Sequence, residues 1–278
     1  MKRLYIIFFL AVLASCQKDN VVSAVEEAVV EYSVQPSVQF EVKSSGGESE
    51  TAESTVNVLW YGVYHKKADG RYVYMNDMSA FVEVTNPSDI QVPIVLIKDQ
   101  EYKLVFVAQH RVPADGGEHE YVYTVSEEGV MSLNADADVT LGEQLEAFVF
   151  VDELGPVTGN ENRRIKLDRV VSQVNIGTTS TIGGPLGVSV SGAAKSYDIF
   201  RNEYSEETLQ VEFNALGNLA ASGNKITVSG TEYNLLTRMY FLGNNKLDFT
   251  ISDSNGSIAI SSIDTKVNFK TNVVGEIL

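Results

Sequence analysis

Along most of this chain apolar and polar positions alternate with a period of two. The runs "VNVLWYGVY" (56–64), "SAFVEV" (79–84), "QVPIVLI" (91–97), "YKLVFVAQ" (102–109), "YVYTVS" (121–126) and "EAFVFVDE" (146–153) are short and rich in Val, Tyr, Phe and Ile. Branched and aromatic residues suit a pleated, half-buried surface, so each run predicts a strand. Turn clusters separate them: "KKADG" (66–70), "TNPSD" (85–89), "PADGGE" (113–118) and "SEEG" (126–129). The pattern resumes in "RIKL", "VSQVNIG" (171–177), "LGVSVSG" (186–192), "LQVEF" (209–213), "KITVSG" (225–230), "KLDFTISDS" (246–254), "SIAISSI" (257–263) and "KVNFKTNVVGEIL" (266–278). Short strands at such spacing predict an all-β sandwich or barrel. "NLLTRMYFLG" (234–243) reads equally as a helical turn or a strand, because a short apolar run does not decide between them.

Two stretches interrupt this pattern. "GPVTGNENRR" (155–164) is rich in Gly, Pro, Asn and charge and reads as a domain boundary. At the N-terminus, Lys2 and Arg3 precede an apolar run from Leu4 to Ala14, which is too short for a permanent membrane span of about 20 residues. Small residues then lead into Cys16, as an export signal requires. Leu13-Ala14-Ser15-Cys16 has the shape of a lipobox, in which the sulfur takes a diacylglyceryl group and the chain is cut before the cysteine. Several acyl chains hold a membrane far better than one marginal chain. The expected organisation is a signal peptide (1–15), a lipidated tether (16–29) and two tandem β-sandwich domains (30–157 and 158–278).

Lipidation of Cys16 would consume the one cysteine and leave neither a free thiol nor a disulfide, so stability must come from burial. The chain carries 21 basic and 37 acidic residues, and loss of Lys2 and Arg3 takes the charge from −16 to −18. Such a field repels nucleic acid, whose binding requires neutralising phosphates. It suits solubility beside a negatively charged cell surface.

Catalytic patterns are not met. "GVSVSG" (187–192) has serines between glycines at the wrong spacing for a nucleophile elbow. There is no phosphate loop, and His65, His110 and His119 form no H-E-x-x-H. "DGGEHE" (115–120) offers Asp115, Glu118, His119 and Glu120 as metal ligands, but its Gly-Gly turn setting favours solvated charge. "NADADVT" (134–140) places oxygens at calcium-loop positions yet lacks the glycine due at Val139 and the acid due at Leu145. Trp60, inside a strand, is a core residue before it is a sugar platform. The reading is therefore non-enzymatic, with no catalytic, metal or cofactor residues.

Four stretches together resemble the fimbrillin-like lipoproteins of Bacteroidota-type bacteria: "VLWYGVYHKKADGRYV" (58–73), "VPIVLIKDQEYKLVFVAQ" (92–109), "RRIKLDRVVSQVNIGT" (163–178) and "NFKTNVVGEIL" (268–278). That resemblance implies two transthyretin-like β-sandwiches on an outer-membrane lipoprotein. "QKDN" after Cys16 resembles the signal that sends such lipoproteins outward. In the family, a protease cuts stalk subunits after a basic residue, the first strand leaves, and a strand from another subunit fills the groove. The candidate first strand here is Glu31 to Val42, read as an edge strand because Pro36 interrupts it, and the candidate cut is at Lys43. Two departures weigh against a stalk subunit. No arginine occurs between Cys16 and Arg71, and the sequence stops at Leu278, where relatives commonly continue with further strand-forming sequence, so a donor extension is not expected. The expected role is a tip, accessory or anchor subunit in fimbrial assembly or cell adhesion. Its partners would be other fimbrillin-like subunits, the outer membrane, and a receptor on a host or bacterial surface. The alternative is a surface glycan-binding lipoprotein for nutrient capture.

Overall fold

The computed structural model describes residues 25–36, 41–42, 55–113, 119–180, 186–216, 219–254 and 256–275. The regular structure of the described residues is strand apart from three short 3-10 turns. In chain order the first are β1 (Glu27–Pro36), β2 (Glu41–Val42), β3 (Val58–Lys66), β4 (Tyr72–Tyr74), β5 (Ala80–Glu83), β6 (Ile90–Ile97), β7 (Tyr102–Gln109) and β8 (Arg111–Pro113). Next come β9 (His119–Tyr121), β10 (Tyr123–Val125), β11 (Val130–Leu133), β12 (Phe148–Leu154), β13 (Glu161–Arg169) and β14 (Val171–Thr178). The last are β15 (Leu186–Ala194), β16 (Ser196–Asp198), β17 (Glu203–Tyr204), β18 (Thr208–Leu216), β19 (Lys225–Val228), β20 (Thr231–Leu242), β21 (Lys246–Ser252), β22 (Ser257–Asp264) and β23 (Phe269–Gly275).

The first sheet runs β4-β3-β7-β12-β13-β1-β6, with β5 also on β3. It curls on itself. Tyr32 of β1 lies with its ring 4.8 Å from Phe106 of β7, although β13 and β12 separate those strands in the sheet. Between the two halves lies one core, made by Val30, Val34, Ile94, Leu104, Phe148 and Leu167 among others.

β7 is buried on both faces. Leu104 and Phe106 face the first core, whereas Val105 and Val107 join a second core with Trp60, Tyr64 and Val149. The second core continues through Tyr123, Met131 and Leu145 into the C-terminal sandwich, so the two halves share one apolar interior. Trp60 is 6 % exposed and packs over Gly62, where a Cβ would fall 2.4 Å from its ring. Its indole is core.

The C-terminal sandwich packs a sheet ordered β19-β20-β14-β23-β2 against one ordered β18-β15-β21-β22. Val174, Ile176, Met239 and Phe241 face Val188, Val190, Phe249 and Ile251 in that core. The ambiguous segment 234–243 is mostly strand β20. It hides its period because side chains on both of its faces are buried.

The expected break at 157/158 falls between β12 and β13, which are neighbours in the first sheet. The chain crosses to the second sheet at Val170, between Arg169 of β13 and Val171 of β14. "GPVTGNENRR" is the connection between β12 and β13, with the start of β13 itself, because a Gly- and Asn-rich turn marks a hairpin as readily as a linker. β2 also crosses the expected division, since Glu41 and Val42 pair in parallel with Phe269 and Lys270.

A candidate strand-exchange site around β1

The expected tether ends at residue 29, but β1 already begins at Glu27. From that start its alternation is clean. Ala28, Val30, Tyr32, Val34 and Pro36 are buried, and Glu27, Glu31 and Gln35 are exposed. Nor is it an edge strand. It lies between β6, antiparallel from Glu27↔Ile97 to Val34↔Ile90, and β13, parallel from Val30↔Glu161 to Pro36↔Leu167. Pro36 is its last residue, where a missing N–H interrupts little of either ladder.

Polar contacts fix this register. The Tyr32 hydroxyl donates to Asp152 Oδ2 at 2.7 Å, and Arg163 donates to the same carboxylate at 3.1 Å. Burial, and then the bond to Asp152, hold the Tyr32 hydroxyl well above the usual tyrosine range. The Val29 N–H donates to Asn160 Oδ1 at 2.9 Å, and Lys98 pairs with Glu26 at 2.9 Å.

Beyond β1, the edge of the sheet at β6 is blunted at two positions. Lys98 N–H donates to Glu26 O at 2.9 Å, so even-numbered residues of β6 bond to β1 and odd-numbered N–H groups point outward. Pro93 occupies one outward position and has no N–H. Ile97 N–H, at another, donates to the Tyr102 hydroxyl at 3.2 Å. A proline and a capped donor blunt the edge that would otherwise template pairing. A strand in the place of β1 would be paired on both sides, whereas one laid beside β6 would be paired on one side only, against a blunted edge.

Cys16, Lys43, Asp115 and Glu118 lie outside the described residues. His119 and Glu120 stand in β9, and no group of three or more His, Cys, Asp or Glu among the described residues could hold a metal ion. Asn134 accepts from the Asp136 N–H at 3.1 Å and donates to Tyr121 O at 3.0 Å. These bonds make "NADADVT" an Asx turn tied to the neighbouring strand. Arg71 sits in the exposed hairpin of β3 and β4, held by Asp69 at 2.7 Å.

Two features at the meeting of the halves have no counterpart among the expectations. Arg169 and Glu146 form a buried ion pair, with the guanidinium 4.5 Å from the Phe148 ring centroid and 5.3 Å from that of Tyr240. His110 is 7 % exposed, and burial pushes its imidazole down to about 4. Its Nε2 lies 3.1 Å from Thr55 Oγ1, and Thr55 N–H donates to Glu146. Single charged residues in apolar runs were the available signal, but a sequence does not say which of them meet.

No family model and no curated protein matches this sequence. Among solved structures, it is similar to a candidate polysaccharide-binding protein from Bacteroides thetaiotaomicron (11 % identity, TM-score 0.49, covering 89 % of this chain and 90 % of that one). It is also similar to a candidate adhesin from the same species (11 % identity, TM-score 0.48, 91 % and 93 %). A third likeness is to the fimbrial anchor protein Mfa2 from Porphyromonas gingivalis (13 % identity, TM-score 0.42, 89 % and 91 %).

Proposed function

We propose that this chain is a non-enzymatic subunit of a fimbrial or adhesive assembly, held at the cell surface by a lipid on Cys16 while β1 is in place, and that the β1 slot is where another subunit's strand enters once β1 has left with that lipid. One observation carries the reading: β1 fills a position between β6 and β13 and contributes a continuous inward row of side chains to the core. Without β1 the slot would present two rows of unpaired backbone groups and an apolar floor, and a donated strand with the same alternation would satisfy both. The sequence resemblance to fimbrillin-like lipoproteins supports this use of the slot. Cys16 is the proposed lipid attachment and Lys43 the proposed cut, which would free the C-terminal side of the segment that carries β1 and β2. No arginine lies between Cys16 and Arg71, which favours an anchor, tip or accessory role over a stalk subunit.

The test is strand exchange in the folded protein. Limited trypsin treatment should cut first near Lys43 and leave the rest of the chain folded. A fluorescent peptide with the sequence of β1, EAVVEYSVQP, should then enter cut protein and not intact protein. Equal uptake by both forms, or loss of the folded signal on cutting, would show that this strand is not exchanged.

A further inference from the structure

The C-terminal sandwich has a free edge of a different character. β18 ends its sheet, and among the described residues only β15 pairs with it. Over Leu209 to Phe213 its residues follow one another in regular register against β15, which carries the extra residue, Gly192 at φ 94°. β18 contains no proline and no lysine, the usual devices for blunting an edge.

A groove of about 510 Å³ runs along this strand, with residues 209–213 as one wall and segment 133–145 as the other. Its apolar lining includes Leu133, Val139, Leu145, Leu209, Val211 and Phe213. Leu133, Leu145, Leu209 and Val211 also border a small void of about 20 Å³ behind it, so the floor continues into the core. Asp138 and Glu212 stand on the rim, and neither has a cationic partner among the described residues.

We propose that this groove is a second docking surface, which takes an extended segment of a partner polypeptide with apolar and basic residues in alternation. A strand laid along β18 satisfies its free backbone groups, which a sugar or a compact small ligand cannot do along a whole strand. Alternate side chains of an added strand point to opposite faces, so one set fills the apolar floor while the other reaches the rim. Asp138 and Glu212 set the sign of that second set as positive. The surface is separate from the β1 slot and stays available while β1 is in place.

The experiment uses the whole intact chain with three nine-residue peptides: Lys/Val alternating, Glu/Val alternating, and Lys/Val with prolines at alternate positions. Fluorescence anisotropy reads binding, and amide hydrogen exchange reads where it occurs. The Lys/Val peptide should bind and slow exchange over 208–213, leaving β1 and β6 unchanged, and the proline peptide should not. An Asp138→Lys, Glu212→Lys double variant should bind the Lys/Val peptide about tenfold more weakly and prefer the Glu/Val peptide. Both substitutions are on solvent-accessible side chains, and the exchange map of the unaltered chain decides the question even where the variant folds poorly. The proposal is overturned by protection elsewhere, by equal binding of the proline peptide, or by no binding at millimolar peptide. Slowed exchange that tracks the protein's own concentration would assign the edge to self-association and overturn it too. Because β1 stays in its slot throughout, none of these results depends on strand exchange there.

Discussion

The bond from Tyr32 to Asp152 is the best place to perturb the hold on β1 without emptying the core. Tyr32→Phe keeps the ring, and with it the contact to Phe106 at 4.8 Å, but removes the hydroxyl that donates at 2.7 Å to Asp152. A hydrogen bond to a charged acceptor contributes about 1.5–3 kcal/mol. The lower end applies because Asp152 keeps its pairing with Arg163 at 3.1 Å. A loss of about 1.5 kcal/mol should lower Tm by about 3–6 °C at this chain size. After cleavage at Lys43 it should also speed release of β1 about tenfold. Calorimetry reads the first effect, and dissociation of a labelled β1 segment reads the second. Tyr61→Phe is the control, since that half-buried hydroxyl has no hydrogen-bond partner among the described residues and the change should cost less than about 0.5 kcal/mol. If Tyr32→Phe leaves both Tm and release rate at the level of Tyr61→Phe, the hydroxyl does not help hold the strand.

Two further outcomes follow, one from the structure and one from the proposed lipid attachment at Cys16. His110 is held neutral by burial, with its pKa down at about 4 against about 6.5 unfolded, so its contribution is fully present above pH 6.5 and is lost as pH falls toward 4. That gap corresponds to about 3 kcal/mol, and His110→Gln should flatten the loss of stability between those pH values in denaturant titrations; an unchanged profile would place the acid sensitivity elsewhere. Cys16→Ser should leave the leader unprocessed or the mature chain without its lipid, and unaltered mature size and membrane association would refute the anchor.

Where a strand has one wet face its sequence is transparent. β6 and β21 alternate buried and exposed residues without exception up to their last residue, and both lie in segments predicted as strands. β20 is ambiguous in sequence because it is covered on both faces, which erases the period. β1 begins at Glu27, four residues ahead of the Glu31 expected, and is flanked on both sides where an edge was expected. Its Val30, Tyr32, Val34 alternation is visible, but Pro36 suggests an edge, whereas the proline merely ends the strand. The expected break at 157/158 falls between two neighbouring strands of one sheet for a related reason: a Gly-rich turn shows that the chain reverses, not whether the next strand rejoins the same sheet. The groove beside β18 is not legible, because its two walls lie some 70 residues apart in the chain. The ion pair of Arg169 with Glu146 is hidden in the same way, since the partners stand in different segments.

The position of β1 has a mechanical consequence. A lipid on Cys16 would attach the molecule only 11 residues ahead of Glu27, the difference between the two positions. Tension directed along β1 would act across its hydrogen bonds, with neither ladder peeling open from an end. The ladders to β6 and β13 would be loaded together, in shear, and would have to slip as one before the strand could leave. An edge strand pulled sideways gives way one bond at a time, whereas a strand clamped on both sides and pulled lengthwise resists as a unit. The arrangement that makes β1 a shaped plug would also make it a strap that carries tension between the molecule and the cell.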